Sequence, residues 1–190
     1  MKPITLESVV AELSAHNYKN IETAHIIGLR MPRPNNKVTN KFDDWIVLVV
    51  GGQMYGPWKC TTMPGLYYMI NPMNENNTCV IHPGQYINCF VRGYHKDYMA
   101  IRQCRPIKYY VDANKDGFYD LDENKTQVAI RYTNVHRANP KFESIQVDNY
   151  SAGCIVLANP KDFNDMMALT LKRGDGPDKN LYTLTVLNWE

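Results

Sequence analysis

The fold is decided by the stretch YTNVHRANPKFESIQVDNYSAGCIVLA, residues 132–158. Its two ends are short runs of apolar, β-branched and aromatic residues, which is typical of β-strands. Asn, Pro, Asp and Gly lie between the runs and favour turns. His136 ends the first run and Cys154 opens the second. The stretch therefore predicts two strands whose ends carry a histidine and a cysteine.

The same pattern of short strands continues over most of the chain. Runs of this kind lie at residues 45–50, 66–70, 85–91, 99–104, 107–111, 128–135, 145–147, 154–158 and 181–187. Residues 5–15 have the apolar spacing of a short amphipathic helix. Another helix is predicted after the strand that Cys154 opens, with Asn159 as N-cap and Pro160 in its first turn. These elements predict a mainly-β fold, a barrel or a sandwich, with a short N-terminal helix and one helix after the Cys154 strand.

The composition of the chain excludes several classes of protein. Its 190 residues suit one domain with an added arm. We therefore assign residues 1–44 to an N-terminal helix and arm, packed on a domain of residues 45–190. The net charge of +2, without a stripe of lysine and arginine, argues against a nucleic-acid binder. No apolar run approaches the roughly 20 residues that span a bilayer, so we expect no membrane partner. We also expect a monomer without an organic cofactor.

The cysteines and the N-terminus bear on the compartment. Five cysteines lie at positions 60, 79, 89, 104 and 154, and no two of them form a CxxC pair. This odd number argues against a structural zinc site and against a closed disulfide framework. The first residues, MKPITLESVVAELSAHNY, lack the apolar segment and the cleavage site of a signal peptide. We therefore expect synthesis in a cytoplasm.

Cys154 and His136 have the chemistry of a nucleophile and its base. A thiol attacks well only as the thiolate, so it needs a base or a positive field nearby. A histidine at one strand end can be that base for a cysteine at the next strand start. Gly153 lets the backbone turn tightly, so that adjacent N–H groups can point at an oxyanion. The alternative is a buried cysteine and an exposed histidine without a joint role.

The spacing between these residues, His-x14-Ser-x-Gly-Cys, resembles the signature of the L,D-transpeptidase (YkuD-like) catalytic domain family. The resemblance covers roughly residues 45–190 and implies an L,D-transpeptidase-like fold. It implies that a peptidoglycan stem peptide acylates Cys154 and that His136 is the base. It also implies that the carbonyl of Arg137 orients the imidazole ring and that the N–H groups of Gly153 and Cys154 form the oxyanion hole.

Two positions depart from the usual motif of that family. Ala152 stands where a second histidine is usual, and Val156 stands where an arginine is usual. A residue other than histidine at position 152 resembles the branch of the family that cleaves peptides. The stretches TTMPGLYYMINP, HPGQY and GYHKDYMAIRQ also resemble a group of bacterial and bacteriophage proteins. The resemblance implies a phage lysis enzyme, an endolysin, made in the cytoplasm of the host bacterium and released to the cell wall by a holin.

Three further residues are candidates for contacts with the substrate. Tyr150 and Ser151 flank the nucleophile, where they can bind substrate or only close the turn. His95 lies in a predicted loop between two strands, in the stretch GYHKDY. It either lines a substrate cleft or is a surface histidine.

A calcium-binding pattern occupies the connection between two predicted strands. Residues 112–123, DANKDGFYDLDE, have oxygen ligands at the spacing of an EF-hand loop and glycine at the sixth position. The predicted ligands are Asp112, Asn114, Asp116, the backbone of Phe118, Asp120 and Glu123. The flanking runs predict strands and not helices, so this would be a calcium loop inside a β connection. We expect a structural role, because the loop leads directly into the predicted strand that carries His136. The alternative is a solvated acidic hairpin without metal.

The sequence therefore predicts a cysteine peptidase that hydrolyses peptidoglycan peptides through an acyl-enzyme. One alternative is a transpeptidase that forms cross-links, because the two activities differ only in what accepts the acyl group. The other alternative is a calcium-stabilised β module of a virion or a cell wall, in which Cys154 is catalytically silent.

Overall fold

The computed structural model describes residues 2–19, 24–73, 77–171 and 180–190. Within these residues the chain forms three α-helices and eleven β-strands. The helices are α1 (Leu6–Ala15), α2 (Leu66–Ile70) and α3 (Pro160–Leu169). The strands are β1 (His25–Arg30), β2 (Asp44–Val50), β3 (Gln53–Thr61), β4 (Thr78–Ile81), β5 (Gly84–His95), β6 (Tyr98–Gln103), β7 (Ile107–Asp112), β8 (Thr126–Ala129), β9 (Asn134–Arg137), β10 (Ile155–Leu157) and β11 (Leu181–Asn188).

Eight of the strands close into a barrel in the order β1-β11-β5-β6-β9-β10-β3-β2. Two neighbouring pairs are parallel, β1 with β11 and β9 with β10, and the other pairs are antiparallel. Closure pairs the strand edges that an open sheet would expose. The main core includes Ile26, Ile46, Leu48, Phe90, Ile101, Val135, Ile155 and Leu184. The predicted mainly-β fold is confirmed, and of the two architectures it is the barrel.

A second, three-stranded sheet has the order β4-β7-β8 and is antiparallel. The acidic stretch that follows Asp112 connects β7 to β8. The carbonyl of Cys79 in β4 approaches the backbone at Gly153, so this sheet borders the turn that precedes Cys154.

Two of the helices begin and pack as their sequences predict. The Thr5 side chain caps α1, which buries Val9 and Leu13. The Asn159 side chain accepts a hydrogen bond from the N–H of Lys161 at 2.9 Å and caps α3. Both predicted helices are confirmed, the second following the strand after Cys154. No helix in the described part of the chain is long and apolar enough to cross a membrane.

Two predicted strands are wrong. Residues 66–70 form α2, a single helical turn after Pro64-Gly65 that packs against the turn Asp148–Tyr150. The Tyr and Ile content of this segment favours strands, but tertiary packing overrides the preference. Residues 145–147 form no strand, and Gln146 makes only an isolated bridge to Lys41.

Three strands, β1, β3 and β4, were not predicted. All six residues of β1 are buried. Val9 of α1 and Ile27 of β1 belong to one hydrophobic cluster, so the helix covers the outer side of this strand. This burial removes the alternation that marks a half-exposed strand. Residues 25–30 thus belong to the barrel although we assigned them to the arm of residues 1–44. In β3, Gly56-Pro57 interrupts the run, and the pairing with β2 shifts register there.

The predicted single strand at residues 128–135 is two strands in two different sheets. β8 ends at Ala129 in the three-stranded sheet, and β9 begins at Asn134 in the barrel. Between them Tyr132 has a φ of 56°. This crossing carries Arg131 past the end of the barrel where Cys154 lies.

Candidate active site

The parallel pair β9–β10 brings Cys154 and His136 to one cleft. His136 pairs with Val156, two residues after Cys154. Both side chains line a cavity of about 230 Å³, which we name the His136 cavity. An adjoining cavity of about 340 Å³, which we name the Arg131 cavity, is also lined by Cys154. The two cavities meet at the cysteine, and both contain Ala152 and His95 in their walls.

The ring of His136 is held in one orientation. It is 5% exposed, and its Nδ1 lies 2.8 Å from the carbonyl oxygen of Arg137. A carbonyl only accepts hydrogen bonds, so Nδ1 carries the proton and Nε2 is the basic nitrogen. This is the hydrogen bond that the resemblance implies for Arg137. Burial, followed by the charge of the neighbouring His95, lowers the pKa of His136 to about 3. The imidazole is therefore neutral at neutral pH.

His95 stacks on this ring. The ring centroids lie 4.2 Å apart with an interplanar angle of 13°. Nδ1 of His95 accepts a hydrogen bond from the side-chain amide of Asn134 at 3.0 Å, so its proton lies on Nε2. Burial, followed by the charge of Lys96, lowers the pKa of His95. The site thus contains two neutral histidines with opposite tautomers, and His95 lines the cleft as its candidate role requires.

Cys154 is a neutral thiol in this arrangement. Burial raises its pKa to about 11, against the smaller opposing effects of the Asn134 N–H and of Lys96. The backbone N–H of Asn134 points at Sγ from 3.4 Å. Within the described residues no hydrogen bond joins Sγ to His136. The resting pair is therefore a thiol beside a neutral imidazole and not a thiolate–imidazolium pair.

The turn before Cys154 depends on Gly153 and Ser151. Gly153 has a φ of 121°, and a Cβ there would lie 2.5 Å from the carbonyl oxygen of Cys79. Ser151 is fully buried, and its hydroxyl donates to the Cys154 carbonyl at 2.7 Å. The same hydroxyl accepts from the Gly153 N–H at 3.2 Å.

Two expectations for this turn need revision. Ser151, a candidate for substrate contact, closes the turn and lines neither cavity. The N–H of Gly153 is engaged by Ser151, so it is not free to form half of an oxyanion hole. The Cys154 N–H remains as the backbone donor of the turn. Tyr150 does line the His136 cavity, where substrate can reach it.

Three residues of the cleft were missed from the sequence. The Tyr98 hydroxyl lies 3.4 Å from Nδ1 of His136 and 3.5 Å from the Arg137 carbonyl. Tyr98 pairs with His95 across the β5–β6 hairpin. A two-residue turn, Lys96-Asp97, between two strands was the available signal, because it makes residues 95 and 98 cross-strand neighbours. Lys96 lines the His136 cavity, and Arg131 lines the other.

The acidic loop has the oxygen donors of a calcium site without their full convergence. Asp112 is buried, and its carboxylate accepts the N–H of Asp120 at 2.9 Å. Burial, with the charges of Asp120 and Asp116, raises the pKa of Asp112 to about 6. Among the residues that the structure describes, no three acidic, histidine or cysteine side chains converge on one metal position.

Glu123, the predicted twelfth ligand, contacts residues outside the loop. Its carboxylate accepts hydrogen bonds from Tyr110 at 2.6 Å and from Lys108 at 3.0 Å, and it pairs with His82. These bonds lower its pKa to about 2. The other side chains, Asp112, Asn114, Asp116 and Asp120, remain in the loop, where Asp116 accepts the N–H of Phe118. The loop leads into β8 and not directly into the strand with His136.

The five cysteines are all free thiols, and Cys60 and Cys79 are buried.

No family model matches the chain, and neither a curated protein nor a solved structure shows significant similarity to it.

Proposed function

We propose that this protein is a cysteine peptidase that cleaves peptidoglycan peptides through an acyl-enzyme at Cys154. The observation that carries the proposal is the His136 ring, which shares a cavity with Cys154 while Nδ1 is tied to the Arg137 carbonyl. This leaves Nε2 as the basic nitrogen of the ring. The peptidoglycan substrate is supported by the resemblance of the His-x14-Ser-x-Gly-Cys motif. The role in phage lysis is supported by the resemblance of the stretches TTMPGLYYMINP, HPGQY and GYHKDYMAIRQ to bacterial and bacteriophage proteins.

The reaction begins with a proton transfer that needs the substrate in place. His136 Nε2 takes the proton of the Cys154 thiol as Sγ attacks the scissile carbonyl. The S–C bond forms, and the C–N bond breaks when the protonated His136 gives its proton to the leaving amine. Water then attacks the thioester carbonyl while His136 takes a proton from that water. The new C–O bond forms and the S–C bond breaks, the carboxylic acid leaves, and His136 returns its proton to Sγ.

The surrounding residues favour these steps in distinct ways. The N–H of Asn134, 3.4 Å from Sγ, stabilises the thiolate as it develops. The Arg137 carbonyl stabilises the imidazolium through Nδ1–H. The Cys154 N–H is the donor available to the oxyanion. The neutral resting pair makes attack dependent on the bound substrate, since the thiol has little nucleophilicity before its proton leaves.

The proposal is tested by digesting purified muropeptides and identifying the products by mass spectrometry. The wild type should release a free amine and a carboxylate, while Cys154→Ser and His136→Ala should each lose at least about 100-fold in rate. Cys104→Ser is the matched control, because Cys104 is partly exposed and lines neither cavity. Cleavage retained by a folded Cys154→Ser variant would exclude the mechanism. Transfer to an added amine, with no hydrolysis, would indicate the transpeptidase.

A catalytically silent β module is the second candidate. The observation that favours it is the Cys154 pKa of about 11 together with the missing hydrogen bond to His136. The peptidase and the silent module differ in whether Cys154 forms an acyl-enzyme. Intact-mass measurement of the protein mixed with a stem-peptide thioester should show the acyl adduct in the wild type and not in Cys154→Ser. No adduct in either protein would favour the silent module.

A further inference from the structure

Three cationic side chains line the two cavities that meet at Cys154. Lys96 and Arg137 line the His136 cavity, and Arg131 lines the Arg131 cavity. No described Asp or Glu lines either cavity; Asp97 is adjacent to Lys96 in sequence but lines neither one. None of the three cations forms an ion pair within the described residues. Among the described residues, both cavities therefore have cationic side chains and no carboxylate in their walls.

The backbone at Arg131 is fixed, and its guanidinium forms no ion pair with a described residue. Its N–H donates to the buried Gln103 side chain at 3.0 Å. The same Gln103 oxygen also accepts the Thr133 N–H at 3.1 Å and the Tyr109 hydroxyl at 2.9 Å. These bonds hold the crossing from β8 to β9, and the partly exposed Arg131 side chain extends into the cavity. A guanidinium on a fixed backbone loses less entropy on binding an anion.

The guanidinium of Arg137 in the other cavity is also positioned. It lies 3.7 Å from the centroid of the Tyr98 ring, in a cation–π contact that leaves its N–H edges available. Lys96 follows His95 at the tip of the β5–β6 hairpin and adds a second positive charge there. Both cavities that meet at the nucleophile therefore favour negative groups.

We propose that Arg131 binds a free carboxylate of the peptide and that the cleft thereby selects acidic peptides over neutral ones. The planar guanidinium matches a carboxylate with two parallel N–H···O bonds. Lys96 and Arg137 favour a further carboxylate in the adjoining cavity. The inference rests on the proposed function for the bond that is cut, whereas binding of the carboxylate does not require cleavage.

The test measures binding without turnover, in the Cys154→Ser background, by isothermal titration calorimetry. The probes are a stem tetrapeptide with free carboxylates and the same peptide with those groups converted to carboxamides. Conversion to carboxamides should raise Kd at least about tenfold. Arg131→Gln should raise Kd for the free acid about tenfold and leave Kd for the amide unchanged. Arg105→Gln, an exposed arginine outside both cavities, should change neither value.

Each outcome decides between the possibilities. Equal Kd values for the acid and the amide, or an equal loss for both in Arg131→Gln, would overturn the inference. Arg131→Lys keeps the charge without the paired N–H edges and should fall between wild type and Arg131→Gln. If Arg131→Gln does not fold, the comparison of acid with amide still decides. Binding without cleavage by the Cys154 enzyme would reject the proposed function alone, and cleavage without preference for the acid would reject this inference alone.

Discussion

Alkylation of Cys154 should depend steeply on pH, because the substrate-free site holds a neutral thiol. With a pKa of about 11, only about one thiol in a thousand is ionised at pH 8. A cysteine with the unperturbed pKa of about 8.5 is roughly one-quarter ionised at that pH. Cys154 should therefore react with iodoacetamide roughly two hundredfold more slowly than a free cysteine peptide. Its rate should rise about tenfold per pH unit from pH 7 to pH 10.

The rate is measured for Cys154 alone, by quantifying its tryptic peptide at timed intervals. This is necessary because Cys89 and Cys104 are also partly exposed and will be labelled. His136→Ala is the control for an ion pair. A labelling rate that is already constant below pH 7, and that drops in His136→Ala, would refute the reasoning. It would mean that a thiolate–imidazolium pair exists before substrate binds.

Three further predictions concern stability. Gly153→Ala should lower the free energy of unfolding by about 1–3 kcal/mol in urea titrations, because its Cβ would meet the Cys79 carbonyl at a φ of 121°. Gly52→Ala, with positive φ but open space, should cost less; equal losses would exclude the steric contribution. Calcium should raise the Tm more than magnesium does, and it should have no effect on the Tm of Asp116→Ala. The increase should be larger at pH 7.5 than at pH 5, because Asp112, with a pKa of about 6, is protonated at the lower pH. A Tm that does not change with calcium would favour the alternative, a solvated acidic hairpin without metal. Burial lowers the pKa of His25 to about 4, so the unfolded chain binds a proton at this histidine between pH 7 and pH 5 while the folded chain does not. The free energy of unfolding should therefore fall by about 2 kcal/mol over this range because of His25. A fall of the same size in His25→Gln would contradict this.

The strands that the sequence revealed are those with uninterrupted runs of β-branched and aromatic residues. They include β2 and β11, although both are buried almost throughout. β5 and β6 keep enough alternation and enough β-branched residues to be recognised. β1 was missed because Gly28 interrupts a short apolar run that has no alternation once α1 covers its outer face. β3 was missed because Gly56-Pro57 interrupts it. Residues 66–70 were predicted as a strand because local composition cannot register that the short turn at residues 148–150 packs against them. These errors arise from tertiary contacts, which a local pattern does not contain.

The sequence predicted the candidate site residues that belong to one continuous motif, and it missed those that only the fold brings near Cys154. His136 and Cys154 were selected through the resemblance of their spacing to the family motif, and the parallel strands β9 and β10 place both at one cavity. Tyr98 and Arg131 come from a hairpin and from a crossing between sheets, and their approach depends on barrel closure. Ser151 was assigned to substrate because a hydroxyl beside a nucleophile invites that role. Its burial and its two hydrogen bonds within the turn appear only in the fold.

The positive charge of the cleft and the neutral state of His136 have one electrostatic consequence. The charges of Lys96 and Arg137 both lower the pKa of His136, after burial and His95, so they oppose formation of the imidazolium during attack. A substrate carboxylate in the cleft would offset these charges and make it easier for Nε2 to accept the thiol proton. Binding of an acidic peptide would then promote the proton transfer as well as position the scissile bond. We therefore expect that converting the substrate carboxylates to carboxamides lowers kcat as well as raising KM. A change in KM alone, measured with the wild type on the same peptide pair, would show that the carboxylate only anchors the peptide and does not influence the base.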